Sequence, residues 1–317
     1  MLIVDDQAFL KILFFPHLVR AGEDLKSSDH KLAYYTTAET ASKIIRNGEV
    51  WLRSAQVMND FSEIAHGMSL VENAFSTSVG KDFRNSLKHF DVDGEAVMEM
   101  ILRLKGPVWK KKTYLACLSL HDPTEDKTGR LSMWRAYGDV ALVVNNAPFK
   151  AVAKRPNFFS MPVQYLDQTG FNEQIAELTK RISENVARVK NFGPMVLVHT
   201  INRLLLMTAV GTKHSGFSEE KEWRIVFQPQ DPEKLLQRRI ETVRGIPQTI
   251  WALPLCHDPR LGLEGADIPS LLNRIIIGPT PYPRVTLKAF RHLLLETGVE
   301  NPDSKLSLSD IPLRRFG

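Results

Sequence analysis

The 317-residue chain has only two cysteines, Cys117 and Cys256. Two thiols in so long a chain make no disulfide framework, which fits a reducing compartment. Cys117 lies in an apolar run and is expected to be a small core residue. No paired C-x-x-C and no H-E-x-x-H is present, so no dedicated zinc site is expected. Neither G-x-G-x-x-G nor a P-loop lysine motif occurs, which removes two familiar phosphate cradles. A secretion signal is not evident, because the opening Met1-Leu2-Ile3-Val4-Asp5-Asp6 is acidic where such a leader is basic.

Long apolar runs are also scarce. Phe9 to Phe15 stops at Pro16, and Met195 to Val210 is interrupted by His199, Asn202 and Arg203. A membrane span needs about 20 mostly apolar residues. The second stretch is therefore expected to be a buried core helix, the chain to avoid the membrane, and its location to be cytoplasmic. A strong charge of one sign is missing too: the net charge is +5 and the pI about 9.1. Such a balance permits nucleic-acid contact without demanding it. The densest basic cluster, Lys110-Lys111-Lys112, precedes a strand and reads as a solvated edge.

What is present suffices for a packed core. Hydrophobic residues make up 43% and charged residues 24% of the chain, ordinary values for a globular fold. Residues 1–30 read as a lead-in with the turn-prone Ala21-Gly22-Glu23-Asp24 and Ser27-Ser28-Asp29, and residues 31–317 as a single α+β domain. Leu32 to Tyr35 is a short strand. Thr36-Thr37-Ala38-Glu39 fits a capping box, with Thr36 as the cap, and Asn47-Gly48 stops the helix that follows. Residues 49–53 form the next strand, Asn59-Asp60-Phe61 a turn, and 63–105 a mostly helical stretch with Val97, Ile101 and Leu104 on one face.

Thr113 to Leu120 is apolar enough for a central strand, and Asp122 to Thr128 is a polar loop. Ser132 to Tyr137 is a helical turn, Asp139 to Val144 a buried strand and Pro162 to Leu166 a shorter one. Asn172 to Lys190 is an amphipathic helix on Ile175, Leu178, Ile182, Val186 and Val189. In Glu222 to Gln228, Trp223, Ile225 and Phe227 alternate with Glu222, Arg224 and Val226. Strands at Thr249 to Leu255 and Arg274 to Gly278 and a helix at Val285 to Glu296 complete the chain. Several strands lie close together without intervening helices, which favours α+β with a mixed, largely antiparallel sheet over a doubly wound fold.

Four short motifs in order resemble those of the bacterial family called domain of unknown function 2971. They are Tyr34-Tyr35-Thr36 with Trp51-Leu52-Arg53-Ser54 and Asn59-Asp60-Phe61; Cys117-Leu118-Ser119 with Met133-Trp134-Arg135-Ala136-Tyr137-Gly138; Glu219-Glu220-Lys221-Glu222-Trp223-Arg224; and Ile275-Ile276-Ile277-Gly278-Pro279. Together they cover about residues 32 to 280. Their order is similar to that of ADP-ribosyltransferase-like proteins. The resemblance implies such a fold, NAD as cofactor and an unidentified macromolecular acceptor, in a toxin, antiviral-effector or phage-borne setting.

Carried over by position, that resemblance places Tyr35 on the first strand, Ser119 on the middle strand and a catalytic Glu222 on a later one. Glu220-Lys221-Glu222 matches the E-x-E pattern of some of these transferases. Tyr35 departs from their usual His or Arg. Arg53 or Arg135 would meet the pyrophosphate, Trp134 or Tyr137 would stack on nicotinamide, and Thr36, Asn59, Asp60 and Glu220 would complete the cofactor site.

Each residue also has a plainer role. Glu222 and Arg224 share one strand face and suit an ion pair. Ser119 suits a satisfied core hydroxyl, Tyr35 packing, and Glu220 a solvated strand entry. Trp134 and Tyr137 lie three apart on one helix face and suit either core or ligand wall. Asn59 and Asp60 suit local turn bonds. His121, Asp122 and Asp126 suggest either a metal or surface polar residues. The alternatives to a transferase are a non-catalytic nucleotide- or protein-binding module and, behind it, a nuclease.

Overall fold

The computed structural model describes residues 4–57, 61–106, 109, 111–146, 157–229 and 235–313. It opens with helices α1 (Val4–Phe14) and α2 (Pro16–Ser27), strand β1 (Lys31–Thr36), helix α3 (Ala38–Asn47) and strand β2 (Glu49–Ser54). Helices α4 (Phe61–Phe75), α5 (Ser78–Leu87) and α6 (Gly94–Lys105) follow. After them come β3 (Tyr114–His121), α7 (Leu131–Tyr137), β4 (Val140–Val144), β5 (Phe158–Pro162) and β6 (Gln164–Tyr165). Next are α8 (Gln168–Glu184), α9 (Val186–Lys190), α10 (Pro194–Gly211), β7 (Thr212–Lys213) and β8 (Glu222–Phe227). The chain closes with β9 (Gln237–Val243), β10 (Ile246–Pro254), α11 (Ile268–Leu271), β11 (Leu272–Ile277), α12 (Pro283–Glu296) and β12 (Leu306–Leu308).

Contacts gather these elements into two units, each drawn from three stretches of chain. One comprises Met1–Asp24, Gln56–Lys111 and Pro162–Ser218; the other comprises Leu25–Ala55, Lys112–Met161 and Glu219–Gly317. The sequence placed its one boundary near residue 30. The stretch expected to be a turn-prone lead-in is instead helical through Ser27.

The first unit is helical, with a short parallel pair between β6 and β7. Here α4, α5 and α6 make up the stretch expected to be mostly helical, with Val97, Ile101 and Leu104 buried as their spacing requires. The amphipathic helix expected to Lys190 breaks at Asn185 into α8 and α9. α10 is long and apolar enough to cross a membrane by length and composition, and 50% of that window is buried in the fold. Leu197, Ile201, Leu205 and Val210 are among its buried residues, as a core helix requires.

The second unit carries a mixed, mostly antiparallel sheet in the order β12-β11-β4-β1-β3-β2-β10-β9, with β8 pairing β3 and β5. The fold is therefore α+β. β3 is central, as its apolar run predicts. One edge of β3 pairs with β8 from Tyr114 to Ser119. The other edge is shared: β1 pairs at Ser119 to His121 and β2 at Tyr114 and Leu115. The sheet thus forks along β3, because β1 and β2 leave the same edge at opposite ends. One face carries Ala41, Ile44, Ile45, Phe290 and Leu294 of α3 and α12 against Val140, Leu142, Ile275 and Ile277. The opposite face packs Met133 and Trp134 of α7 against Ala33, Tyr35, Ala141, Val143 and Ile276.

Local chemistry sets the boundaries. The cap of α3 is Thr37 rather than Thr36: its side chain accepts from the Thr40 amide, and Glu39 pairs with Lys43 instead of reaching back. Thr36 ends β1 opposite Val140. Gly48 closes α3 in the left-handed region at φ 62°, donating to the Ile44 carbonyl. Gly138 follows α7 at φ 153°, and a Cβ there would lie 2.1 Å from the Thr36 carbonyl oxygen. Only glycine lets the chain leave α7 this close to the end of β1.

Candidate functional site

Strand register brings three of the expected site residues onto one sheet face. Ala33 lies opposite Ser119, and Ser119 opposite Glu222, so Tyr35, Ser119 and Glu222 point the same way. Cys117 lies opposite Arg224 and Leu115 opposite Arg53, which extends that row along β3. From Ser119 to Leu115 the strand advances about 13 Å.

The centre of this face is a residue that the motifs did not single out. Arg130 precedes α7, and its side chain is 10% exposed. Its guanidinium takes both Glu125 carboxylate oxygens, Nε to Oε1 at 2.9 Å and Nη2 to Oε2 at 2.8 Å. It also donates to Ser119 Oγ, to the Glu220 carbonyl at 2.9 Å and to the Leu120 carbonyl at 2.7 Å. Its backbone amide donates to the Tyr35 hydroxyl at 3.0 Å. One arginine therefore ties β1, β3, the loop after β3 and the approach to β8 together. The sequence signal for it was faint: an arginine directly after Gly129, which sits at φ 64°.

Each candidate has a definite place. Ser119 is fully buried and donates to the Glu220 carbonyl at 2.5 Å. The hydroxyl of Tyr137 donates to Glu220 Oε1 at 3.0 Å, and Glu220 is half-buried. Between the two glutamates, Lys221 takes φ 44°, a left-handed conformation uncommon for a long side chain. Burial pushes the Tyr35 phenol up to about 12, with the Glu125 carboxylate adding to the push and Arg130 opposing it. Tyr35 is thus a neutral hydroxyl at any ordinary pH.

Glu222 is 6% exposed and Arg224 1%. They form a two-pronged pair, Arg224 Nε to Glu222 Oε1 at 2.8 Å and Nη2 to Oε2 at 3.1 Å. All six residues of β8 are buried, and pairing within the strand makes the burial of both charges tolerable. Arg53 sits further along and donates from Nε to Gln248 Oε1 at 3.0 Å. Burial lowers its proton affinity and Arg244 adds to that, while Tyr34 and Cys117 act the other way.

Other expected site residues fall elsewhere. Trp134 is fully buried, and a Cβ added to Gly129 or Gly278 would meet its ring at 2.2 or 2.7 Å. Its indole N–H donates to the Thr128 carbonyl at 2.9 Å and Tyr35 meets it edge-on, so its role is core packing rather than stacking on a ligand. Arg135 is exposed and Thr36 is buried in β1. Asn59 and Asp60 lie outside the described residues. Cys117 is half-buried and Cys256 exposed.

The loop after β3 is ionic. The buried His121 meets Asp126 Oδ1 through Nε2 at 2.9 Å, and Asp126 pairs with Arg274 at 3.0 Å. Asp122 caps the turn that follows, and bonds from Thr124 and then His30 hold its carboxyl well below the usual range. Among the described residues, no group of three or more His, Cys, Asp or Glu side chains is arranged to hold a metal ion.

No curated protein and no solved structure matches the chain. A family model described as protein of unknown function (DUF2971) matches residues 133–225. That stretch runs from α7 into β8 and includes Met133 to Gly138 and Glu219 to Arg224, two of the four motif regions. Over these residues the chain is similar to the DUF2971 family.

Proposed function

We propose that the sheet unit is an ADP-ribosyltransferase-like domain that binds NAD and modifies a macromolecule. The observation carrying this reading is convergence. Tyr35, Ser119 and Glu222 share one sheet face by register, Arg130 bonds Tyr35, Ser119 and the Glu220 carbonyl, and Tyr137 holds the Glu220 carboxylate. Arg53 lies on the same face, at a span an extended dinucleotide covers, where a guanidinium suits a pyrophosphate.

In the transfer, the bond between the nicotinamide nitrogen and ribose C1′ breaks, and its electron pair neutralises the departing ring. The acceptor nucleophile forms the new bond to C1′ and releases its proton to a carboxylate. Positive charge builds on the ribose meanwhile, and a nearby carboxylate stabilises it. Glu222 would supply that charge, with Arg224 fixing its orientation. Glu220, half-buried and held by Tyr137, would take the acceptor proton.

The test is release of nicotinamide from NAD by the full chain, with cell extract as acceptor. Glu222→Gln is expected to lower release by about a hundredfold or more. Glu220→Gln is expected to spare hydrolysis of NAD and lower transfer to the acceptor. Absence of release from the unaltered protein overturns the transferase reading.

The buried, two-pronged Glu222–Arg224 pair favours a second reading, a non-catalytic nucleotide-binding module. There the pair is structural, and NAD binds without turnover.

A further inference from the structure

The helical unit holds a cavity of ≈ 430 Å³ whose lining comes from α1, α2, α8, α10 and the segment around β6. This volume lies within the range of small-molecule sites, roughly 300–1,000 Å³. Its walls divide by character. Phe14, Phe171, Leu178 and Leu204 form an apolar floor, and all four are buried. His17, Arg20 and Arg181 line it from α2 and α8.

We propose that this cavity binds a small monocarboxylate with an apolar body, its carboxylate held by Arg20 and Arg181 beside His17. A guanidinium fork matches a carboxylate in shape and charge, and the floor would take the hydrocarbon part. Lining charge sets the ligand's valence. Glu173 and Glu177 also line the cavity, and Arg181 Nη1 lies 3.6 Å from Glu177 Oε1. Two carboxylates there disfavour a multiply charged anion such as a phosphate monoester. Arg20 and Arg181 both act on His17: burial first, then these two guanidinium groups, lower its pKa to about 4. A neutral imidazole there donates a hydrogen bond and adds no charge.

The test is calorimetric titration of the full chain with sodium octanoate, with octylammonium and octyl phosphate as controls. Octanoate is expected to bind saturably at one site, and octylammonium not to bind. Arg20→Ala, at an exposed position, is expected to weaken octanoate by about ten- to a hundredfold without loss of fold by circular dichroism. Absence of octanoate saturation overturns the proposal, as does unchanged affinity in Arg20→Ala. Tighter binding of octyl phosphate than of octanoate overturns the monocarboxylate assignment.

Discussion

At the scale of single residues, the Glu222–Arg224 pair is a sensitive point of the sheet unit. Burying two charges is costly, and their mutual hydrogen bonds offset much of that cost. Removing Glu222 takes both of these bonds from a buried guanidinium. Glu222→Ala is expected to lose about 3–5 kcal/mol in urea unfolding, and the double change Glu222→Leu with Arg224→Met to recover most of it. Gly138 is a second sensitive point. Gly138→Ala is expected to cost at least about 1–3 kcal/mol, because φ 153° and the nearby Thr36 carbonyl both reject a Cβ. His17 sets a pH dependence. Its folded pKa of about 4 lies below the unfolded value of 6.5, so the unfolded chain binds more protons between them. Stability of the helical unit is expected to fall as pH drops from about 6.5 towards 4, and His17→Gln to flatten that slope in acid titration of the melting temperature.

At the scale of elements, the two neighbouring threonines before α3 show why boundaries are harder to read than helices. Thr36 satisfies the capping-box spacing to Glu39, but β1 claims Thr36 for its pairing with Val140, which moves the cap to Thr37. Thr37→Ala is expected to cost about 1 kcal/mol by chemical denaturation. Buried strands were legible because their apolar runs are unbroken: β3, β4 and β11 lie where those runs predict. β9 escaped notice because Gln237-Arg238-Arg239-Ile240-Glu241 is polar and largely exposed, and its turn into β10 uses Arg244-Gly245 instead of Asn-Gly. Both turn residues have positive φ, 53° and 78°, as a tight hairpin requires. Of the site, the motif residues on strands were readable, because alternation fixes their face. Arg130 was not, because its importance lies in partners 5 to 95 positions away, from Glu125 to Tyr35.

At the scale of the molecule, a helical unit and a sheet unit are woven from alternating stretches of one chain. The sheet unit carries the motif residues around Arg130, and the helical unit carries a cavity with a chemistry of its own. The proposed role of the Arg130-centred face in NAD binding is tested by calorimetric titration of NAD into the full chain. Saturable one-site binding, weakened about tenfold by Arg53→Ala, is the predicted result. A flat titration at millimolar NAD, or identical affinity in the two proteins, contradicts it.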